Sequence, residues 1–501
     1  MNNLEIKKLV LKLNKEGKKI GLCHGVFDVL HFGHLMHFKS AKKKCDFLFV
    51  SITEDQFVKK GPNRPIHTHH ERVYFLNSLD MVDLAFIAKG ESGVNSINLV
   101  KPDIYFKGND FKNNHLDKTK KIFLEIDAVK RHKGKIVYTS EKHMSSSTII
   151  NKLQLALNDN QVKFLKSIKK LTNFRKLEKS LNKIKKDNVM VVGDLIIDKY
   201  VFGKVQGKSG KEPHMVFSNE NEEMYIGGSA LIANHLSEFA KKITLLTDFG
   251  NEPDIKKLLN TNLKKNISHI KLKKNKDFNT CIKTRFVDSV SKYKLFGSYL
   301  IPNLEGLEFQ NLLNYRLNSL IKNQDIIIVA DYSNNFFNNN SLKFIKNSKK
   351  FISAMSQKNS NNSSFHSLNH LQKIHLLCIN EGELRNEVRD KKTNIDLIAK
   401  NYLRKNNLKT IVVTRGIEGS LLIDEKLNEY YCPAFNSKPI DKMGAGDSML
   451  AILSLLLKNK IHPKVSLLIA SLAASKVINN LGNRYTLDKI ELERDLEFLL
   501  K

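Results

Sequence analysis

Gly25-Val26-Phe27-Asp28-Val29-Leu30-His31-Phe32-Gly33-His34 follows the apolar run Lys19-Ile20-Gly21-Leu22-Cys23 after one residue, His24. This order of residue types predicts a strand, a tight glycine turn and the start of a helix. At the mouth of that helix, His31 and His34 can reach one anion that backbone N–H groups and the helix N-terminus also face. A nucleotide phosphate suits the arrangement. A His-x-x-His pair standing by itself is more often two satisfied histidines at a strand end, but the preceding Gly-x-Phe-Asp turns the reading toward the phosphate.

A chain of 501 residues is too long for one ordinary core, so two or three domains are expected. Apolar residues make up 41% and charged residues 27%, as in ordinary globular proteins. The five cysteines (Cys23, Cys45, Cys281, Cys378, Cys432) form no Cys-x-x-Cys pair, so neither a zinc site nor a disulfide framework is indicated and a reducing cytoplasm fits. Residues 1–18 lack the apolar centre of a signal peptide, and no apolar run is long enough to span a membrane. The net charge of +32 taken alone suggests a polyanionic partner. Its lysines, however, are spread through nearly every polar segment, together with many asparagines and isoleucines. Whole-sequence bias and attraction of anionic substrates account for the charge better than nucleic-acid binding.

From Lys19 to about Asn151, short β-branched runs at Phe47–Ile52, Val82–Ile87, Ile104–Phe106 and Lys135–Tyr138 alternate with helical patterns. Such alternation implies βαβ units and a parallel sheet, whose ligands sit beyond the carboxyl ends of the strands. His31, Lys60, Lys107 and Ser145 each lie just after one of these runs, so all four could face one crevice.

Together with the histidine stretch, three further elements resemble the HxGH nucleotidylyltransferases of the cytidylyltransferase-like superfamily. They are the loop Asp55–Arg64 followed by Pro65 and Glu71-Arg72, the run Pro102-Asp103…Lys107-Gly108-Asn109-Asp110, and the Met144–Ile150 stretch with Ser145, Ser146 and Ser147. The resemblance implies that His31 and His34 stabilise charge at the α-phosphorus as pyrophosphate leaves, and that Lys60 meets phosphate. It further implies that Gly25, Phe27, Lys107, Asp110 and Ser145–Ser147 line the nucleotide site.

Residues 153–187 read as a lysine-rich helical connector between a domain at 1–152 and another at 188–501. The second opens with Asn188–Asp194, a buried strand ending in Gly-Asp, with Asp198 four residues on. Tyr225-Ile226-Gly227-Gly228 then opens a helix, and Ile326–Asp331 is a core strand ending in Asp. Leu377–Glu383, Thr410–Gly416 and Asp441–Ser448 follow. In the last of these, the turn Gly444-Ala445-Gly446 at a helix start offers a nest of N–H donors for a transferring phosphoryl group, and Asp447 can take the proton of the attacking hydroxyl.

These elements resemble the PfkB, or ribokinase-like, sugar kinases. By that resemblance Asp447 is the catalytic base, Gly444, Ala445 and Gly446 form the anion hole, and Asp194, Asp198, Gly227, Gly228 and Asp331 belong to the sugar site. Asn380 and Glu383 match an Asn-x-x-Glu element that organises magnesium indirectly, and Thr414 and Gly416 fall on the ATP-binding strand and loop. Tyr200–Met224 and Cys281–Tyr299 would form a β-lid that closes over the sugar and mediates a homodimer. Leu231, Arg415, Lys442 and the polar loop Gln357–Asn362 depart from the family pattern and leave the sugar open.

The expectation is therefore an α/β chain of two doubly wound domains, a Rossmann-like HxGH domain followed by a ribokinase-like domain with a small β-lid. The pair of modules resembles the bifunctional heptose kinases/adenylyltransferases with the halves in reversed order. Magnesium and ATP would serve the kinase, and ATP or CTP the nucleotidyl transfer, acting on a sugar or sugar phosphate in the cytoplasm. One alternative keeps only the nucleotidylyltransferase active, with the kinase half as a sensing or dimerising module; another is a basic nucleic-acid-binding protein.

Overall fold

The computed structural model describes residues 2–58, 64–108, 121–139, 157–272, 279–302, 306–358, 367–436 and 439–500. The chain forms two compact units, one of residues 1–162 with 493–501 and one of residues 163–492. Among the described residues no helix is long and apolar enough to cross a membrane.

In the first unit, β1 (Ile20–Gly25), β2 (Phe47–Thr53), β3 (Leu84–Ala88), β4 (Ile104–Gly108) and β5 (Lys135–Thr139) form a parallel sheet in the order β3-β2-β1-β4-β5. β-Branched and aromatic residues fill both faces, as a parallel sheet covered by helices requires. Cys23, Val50 and Phe106 pack with Phe38 and Leu76 on one side, while Leu22, Phe49 and Tyr105 pack with Ile6, Ile97 and Val129 on the other. The order reverses between β1 and β4, so their carboxyl ends open the crevice where α/β sheets bind ligands.

The second unit has a nine-stranded sheet built of β6 (Asn188–Gly193), β9 (Lys242–Thr247), β10 (Ile267–Lys271), β13 (Ile326–Asp331), β14 (Phe351–Ser356), β15 (Leu376–Asn380), β16 (Thr410–Thr414), β17 (Ser420–Asp424) and β18 (Glu429–Cys432). The order is β10-β9-β6-β13-β14-β15-β16-β17-β18, with only β17 and its neighbours antiparallel. The helix Ala445–Lys458 carries a run of buried residues from Asp447 through Leu456, which places a polar first turn at the end of an otherwise apolar rod.

A separate four-stranded sheet, β12 (Lys294–Leu300), β11 (Cys281–Asp288), β7 (Leu195–Lys208) and β8 (Met215–Gly227) in that order, is the lid expected from the sequence. Alternate residues of β11 are buried, with Lys283, Arg285 and Val287 on the covered face. β12 is exposed throughout. The segment expected as a connector contains the helices Asp159–Leu171 and Phe174–Ile184, and the division between units falls inside the first of them.

Candidate active sites

In the first unit, β1 ends at Gly25 and the chain turns back through Phe27, which has φ of 48° and packs edge-on against the His34 ring at 5.2 Å. His31 caps the helix Phe32–Lys42, its Nδ1 accepting the Gly33 N–H at 3.1 Å. That bond decides the tautomer. Neutral His31 must carry its proton on Nε2, an atom that is buried and has no hydrogen-bond partner among the described residues. Burial also lowers the His31 pKa, so the neutral donor form prevails near pH 7. The His31 and His34 rings stack with centroids 3.8 Å apart, which brings the two imidazoles to one spot at a helix N-terminus.

Buried polar groups hold this turn in place. Asp28 is 2% exposed and accepts from Arg64 Nε at 2.5 Å and from the backbone N–H groups of Ile66 and His67 at 2.7 and 3.0 Å. Arg72 donates to the carbonyls of Val26 and Thr53 and to Asp55, fastening the ends of β1 and β2 together. Lys107, expected on phosphate oxygens, stands at the end of β4 with its ammonium 2.7 Å from the buried Glu125 carboxylate. Glu125 also accepts from Gly93 N–H at 2.8 Å and Tyr105 hydroxyl at 3.1 Å. Although burial opposes its charge, Lys107, His24 and the Gly93 N–H hold Glu125 below the usual carboxylate range. Lys60, Asp110, Ser145, Ser146 and Ser147 lie outside the described residues.

The second unit has a cleft of about 410 Å³ between the lid and the carboxyl ends of the large sheet. Asp198, Gly228, Asn380, Glu383, Thr414, Gly416, Gly444, Ala445, Gly446 and Asp447 all line it. Gly444 has φ of 76°, a left-handed conformation that avoids strain only without a side chain, and immediately precedes the helix that begins at Ala445. The N–H groups of that first turn therefore have no intrahelical acceptor. Asp447 lies within the turn. Its Oδ1 accepts from the Tyr332 hydroxyl at 2.5 Å, while Oδ2 has no hydrogen-bond partner among the described residues. Burial pushes the Asp447 carboxyl up to about 6, against the Tyr332 hydrogen bond that favours its charge.

Of the residues expected at the sugar, Asp194 and Asp331 stand behind the cleft, while Gly227 lies against the cleft-lining Asp198, where a Cβ would meet its Oδ2 at 2.5 Å. Asp194 accepts from Tyr332 N–H at 2.9 Å, and burial beside Asp331 raises it to about 7. Asp331 is bonded to Ser356 hydroxyl at 2.6 Å, Ser333 N–H at 2.8 Å and His370 Nε2 at 2.9 Å. Those bonds outweigh burial and hold it below the usual carboxylate range. Gly227 ends β8, and Gly228 takes φ of 60°, where a Cβ would meet Asp194 O at 2.4 Å. The two glycines let the helix Gly228–Leu236 begin directly over β6.

At the other end of the cleft, Asn380 and Glu383 form a reciprocal capping box, with Asn380 Oδ1 accepting Glu383 N–H at 2.8 Å and Glu383 Oε2 accepting Asn380 N–H at 3.1 Å. Burial raises Glu383 to about 7. Arg415 is paired with Glu381 at 2.8 Å, and Lys442 lines the cleft. Asp441, three residues before Gly444, accepts from Lys294 Nζ at 2.7 Å and Tyr200 hydroxyl at 2.9 Å, both on the lid, and from Gly482 N–H at 3.1 Å. Tyr332, Lys283 and Arg285 are cleft or lid residues that the sequence motifs did not single out. Tyr332 alone had a local signal, as the residue after a strand-terminal Asp.

A nest of helix-start N–H groups with a carboxylate at its edge, set under a β-lid on an α/β sheet, defines a phosphotransferase of ribokinase-like architecture. Sequence comparison agrees, since the pfkB family carbohydrate kinase model matches residues 186–490 and the chain belongs to that family. A cytidylyltransferase-like model matches residues 22–152, so the nucleotidylyltransferase-like module comes first and the chain is a transferase.

Two curated relatives are both named bifunctional protein HldE. The one from a Nitratiruptor species is 41% identical over 110 residues, which is 22% of this chain and 24% of that protein. The one from Escherichia coli O1:K1 is 31% identical over 157 residues, which is 31% of this chain and 32% of that protein. The aligned stretches thus span a quarter to a third of those relatives. Among solved structures, the chain superimposes on ribokinase from Thermotoga maritima with a TM-score of 0.50 and 18% identity, over 62% of this chain and 99% of that one. Escherichia coli phosphofructokinase-2 in complex with potassium gives 0.51 and 16%, over 63% and 99%. Those two likenesses establish the fold.

Proposed function

We propose that the chain is a bifunctional enzyme of nucleotide-activated sugar biosynthesis, of the heptose type. The C-terminal half phosphorylates a sugar or sugar phosphate with ATP, and the N-terminal half transfers a nucleotidyl group from ATP or CTP to a sugar 1-phosphate, releasing pyrophosphate. The observation that carries the kinase reading is the open Oδ2 of Asp447 beside the Gly444–Gly446 turn. A hydroxyl bound there gives its proton to Oδ2, its oxygen bonds to the γ-phosphorus as the bond to the β,γ-bridging oxygen breaks and ADP leaves, and backbone N–H groups of the turn meet the charge on the phosphoryl oxygens. Asp198 is the sugar-facing carboxylate of the cleft, with Asp194 supporting the Tyr332 backbone from behind. In the N-terminal half, His31 Nε2–H and the His34 ring meet the developing charge at the α-phosphorus. Lys60, Asp110 and Ser145–Ser147 complete the triphosphate site, and Lys107 serves it once released from Glu125.

Magnesium suits the kinase cleft. Glu383 is a half-buried carboxyl lining the cleft with no cation bonded to it among the described residues, and Asn380 stands beside it. Asn380 and Glu383 would organise such an ion indirectly, alongside the phosphates of a bound nucleotide. When bound, it neutralises the phosphate charge. We further propose a homodimer through the outer face of the lid, where Phe296 and Leu300 of β12 are exposed on the side away from Lys283, and a cytoplasmic location.

The test is to incubate the full chain with a panel of heptoses, other sugars and their phosphates, plus each triphosphate and magnesium, and to identify products by mass spectrometry. Sugar phosphate with ADP, and nucleotide sugar with pyrophosphate, are expected. ADP absent with every acceptor would leave the nucleotidylyltransferase alone, with the kinase half as a sensing module.

A further inference from the structure

Lys283 is 6% exposed, lines the kinase cleft and has no carboxylate within ion-pair distance among the described residues. An ammonium group removed from water without a counter-ion is costly, and proteins keep one where a ligand completes it. The reason for its isolation is visible in the lid. On β11 it stands in register with Asp198 of β7 on one side and Tyr299 of β12 on the other. Yet the Asp198 carboxylate is taken by Arg285 Nη1 at 2.5 Å, two residues along the same face, and by Asn483 Nδ2 at 2.6 Å. At Asp447, Oδ1 is taken by Tyr332. What remains to Lys283 is one long hydrogen bond, to Gln357 Oε1 at 3.5 Å, and the rings of Tyr332 and Tyr299 at 5.6 and 5.9 Å. Rings of this kind solvate a cation weakly and give no acceptor for its N–H groups. Three donors facing the cleft are thus nearly unused, Asp447 and Asp194 attracting the ammonium only from beyond ion-pair distance.

Resting on the kinase reading of this cleft, we propose that Lys283 is a phosphate-binding residue that donates to phosphoryl oxygens beside Asp447. A carboxylate already occupied by Arg285 cannot compete for it, and an incoming phosphate brings both the missing charge and the missing acceptors. Two sources share this chemistry, the transferring γ-phosphoryl of the triphosphate and a phosphate already carried by the acceptor sugar.

The experiment compares Lys283→Met and Lys283→Arg in the full-length chain, on a His34→Ala background that weakens the other phosphate site. Titration calorimetry with inorganic phosphate should show at least about tenfold weaker binding for Met and near-parental binding for Arg, the loss expected when a charge-assisted bond goes. Thermal melting without ligand should be unchanged or higher for Met, because a buried charge with no carboxylate at contact distance has been replaced by an apolar chain of similar length. Phosphate binding as tight in the Met variant as in its parent overturns the assignment. So does a lowered melting temperature with phosphate binding intact. In the kinase assay, kcat/KM lost only with phosphorylated acceptors assigns the acceptor's phosphate, and an equal loss with neutral and phosphorylated acceptors assigns the transferring group. Should the parent chain release no ADP with any sugar, the kinase reading fails while the phosphate titration still judges Lys283.

Discussion

On the proposed reading, the crevice beyond β1 and the cleft below the lid both set an anion against the start of a helix, but they recruit donors differently. In the first, side chains are the donors, with His31 locked by Gly33 N–H so that Nε2 carries the proton, and His34 stacked upon it. In the second, backbone N–H groups after a left-handed glycine are the proposed donors, and Asp447 at the edge is the proposed base. A side-chain site can be erased by one substitution that leaves the backbone intact. A backbone nest resists such erasure, so its chemistry is best probed through the carboxylate and its partners.

Four substitutions test this contrast. Asp447→Asn removes the proton acceptor at the nest, so ADP release should fall about 10³-fold while pyrophosphate release is unchanged, as coupled assays of both products would record. His34→Ala should do the reverse, cutting pyrophosphate release about 10²-fold and sparing ADP release. Lys107→Met leaves Glu125 as an unpaired buried carboxylate and should destabilise the first unit by about 3 kcal/mol in denaturant unfolding; an unchanged midpoint would mean that the pair is not holding the β4 end.

The smallest effect is expected of Tyr332→Phe. With Asp447 at about 6, kinase kcat/KM should fall as pH drops through that value, because the base must be ionised. The Tyr332 hydroxyl favours the carboxylate, so its loss should move the acid limb upward by about one pH unit. A limb that stays in place would separate Tyr332 from the base.

Much of both sites was readable because their defining residues are close in sequence. His31 and His34 share one helical turn, Gly444 to Asp447 share another, and the β-branched runs of the first domain became β2 to β5 of a parallel sheet. What escaped was pairing between distant segments. The Tyr332–Asp447 bond joins residues 115 apart and the Arg285–Asp198 pair residues 87 apart, distances over which local pattern carries no information. The same gap hid the isolation of Lys283, which follows from β11 lying beside β7. Strand-terminal Asp194 and Asp331 illustrate the converse. The family resemblance placed both at the sugar, whereas their hydrogen bonds to Tyr332 N–H, Ser356 and His370 turn them behind the cleft.

On this reading one chain holds two phosphoanhydride-handling pockets that work independently. Their independence is decided by ³¹P NMR of the full chain with triphosphate, magnesium and the sugar panel, repeated with Asp447→Asn and His34→Ala. ADP with sugar phosphate and pyrophosphate with nucleotide sugar are expected from the parent chain, each variant losing one set of resonances and keeping the other. Loss of both sets through either substitution, in a chain whose circular dichroism and melting match the parent, would contradict it.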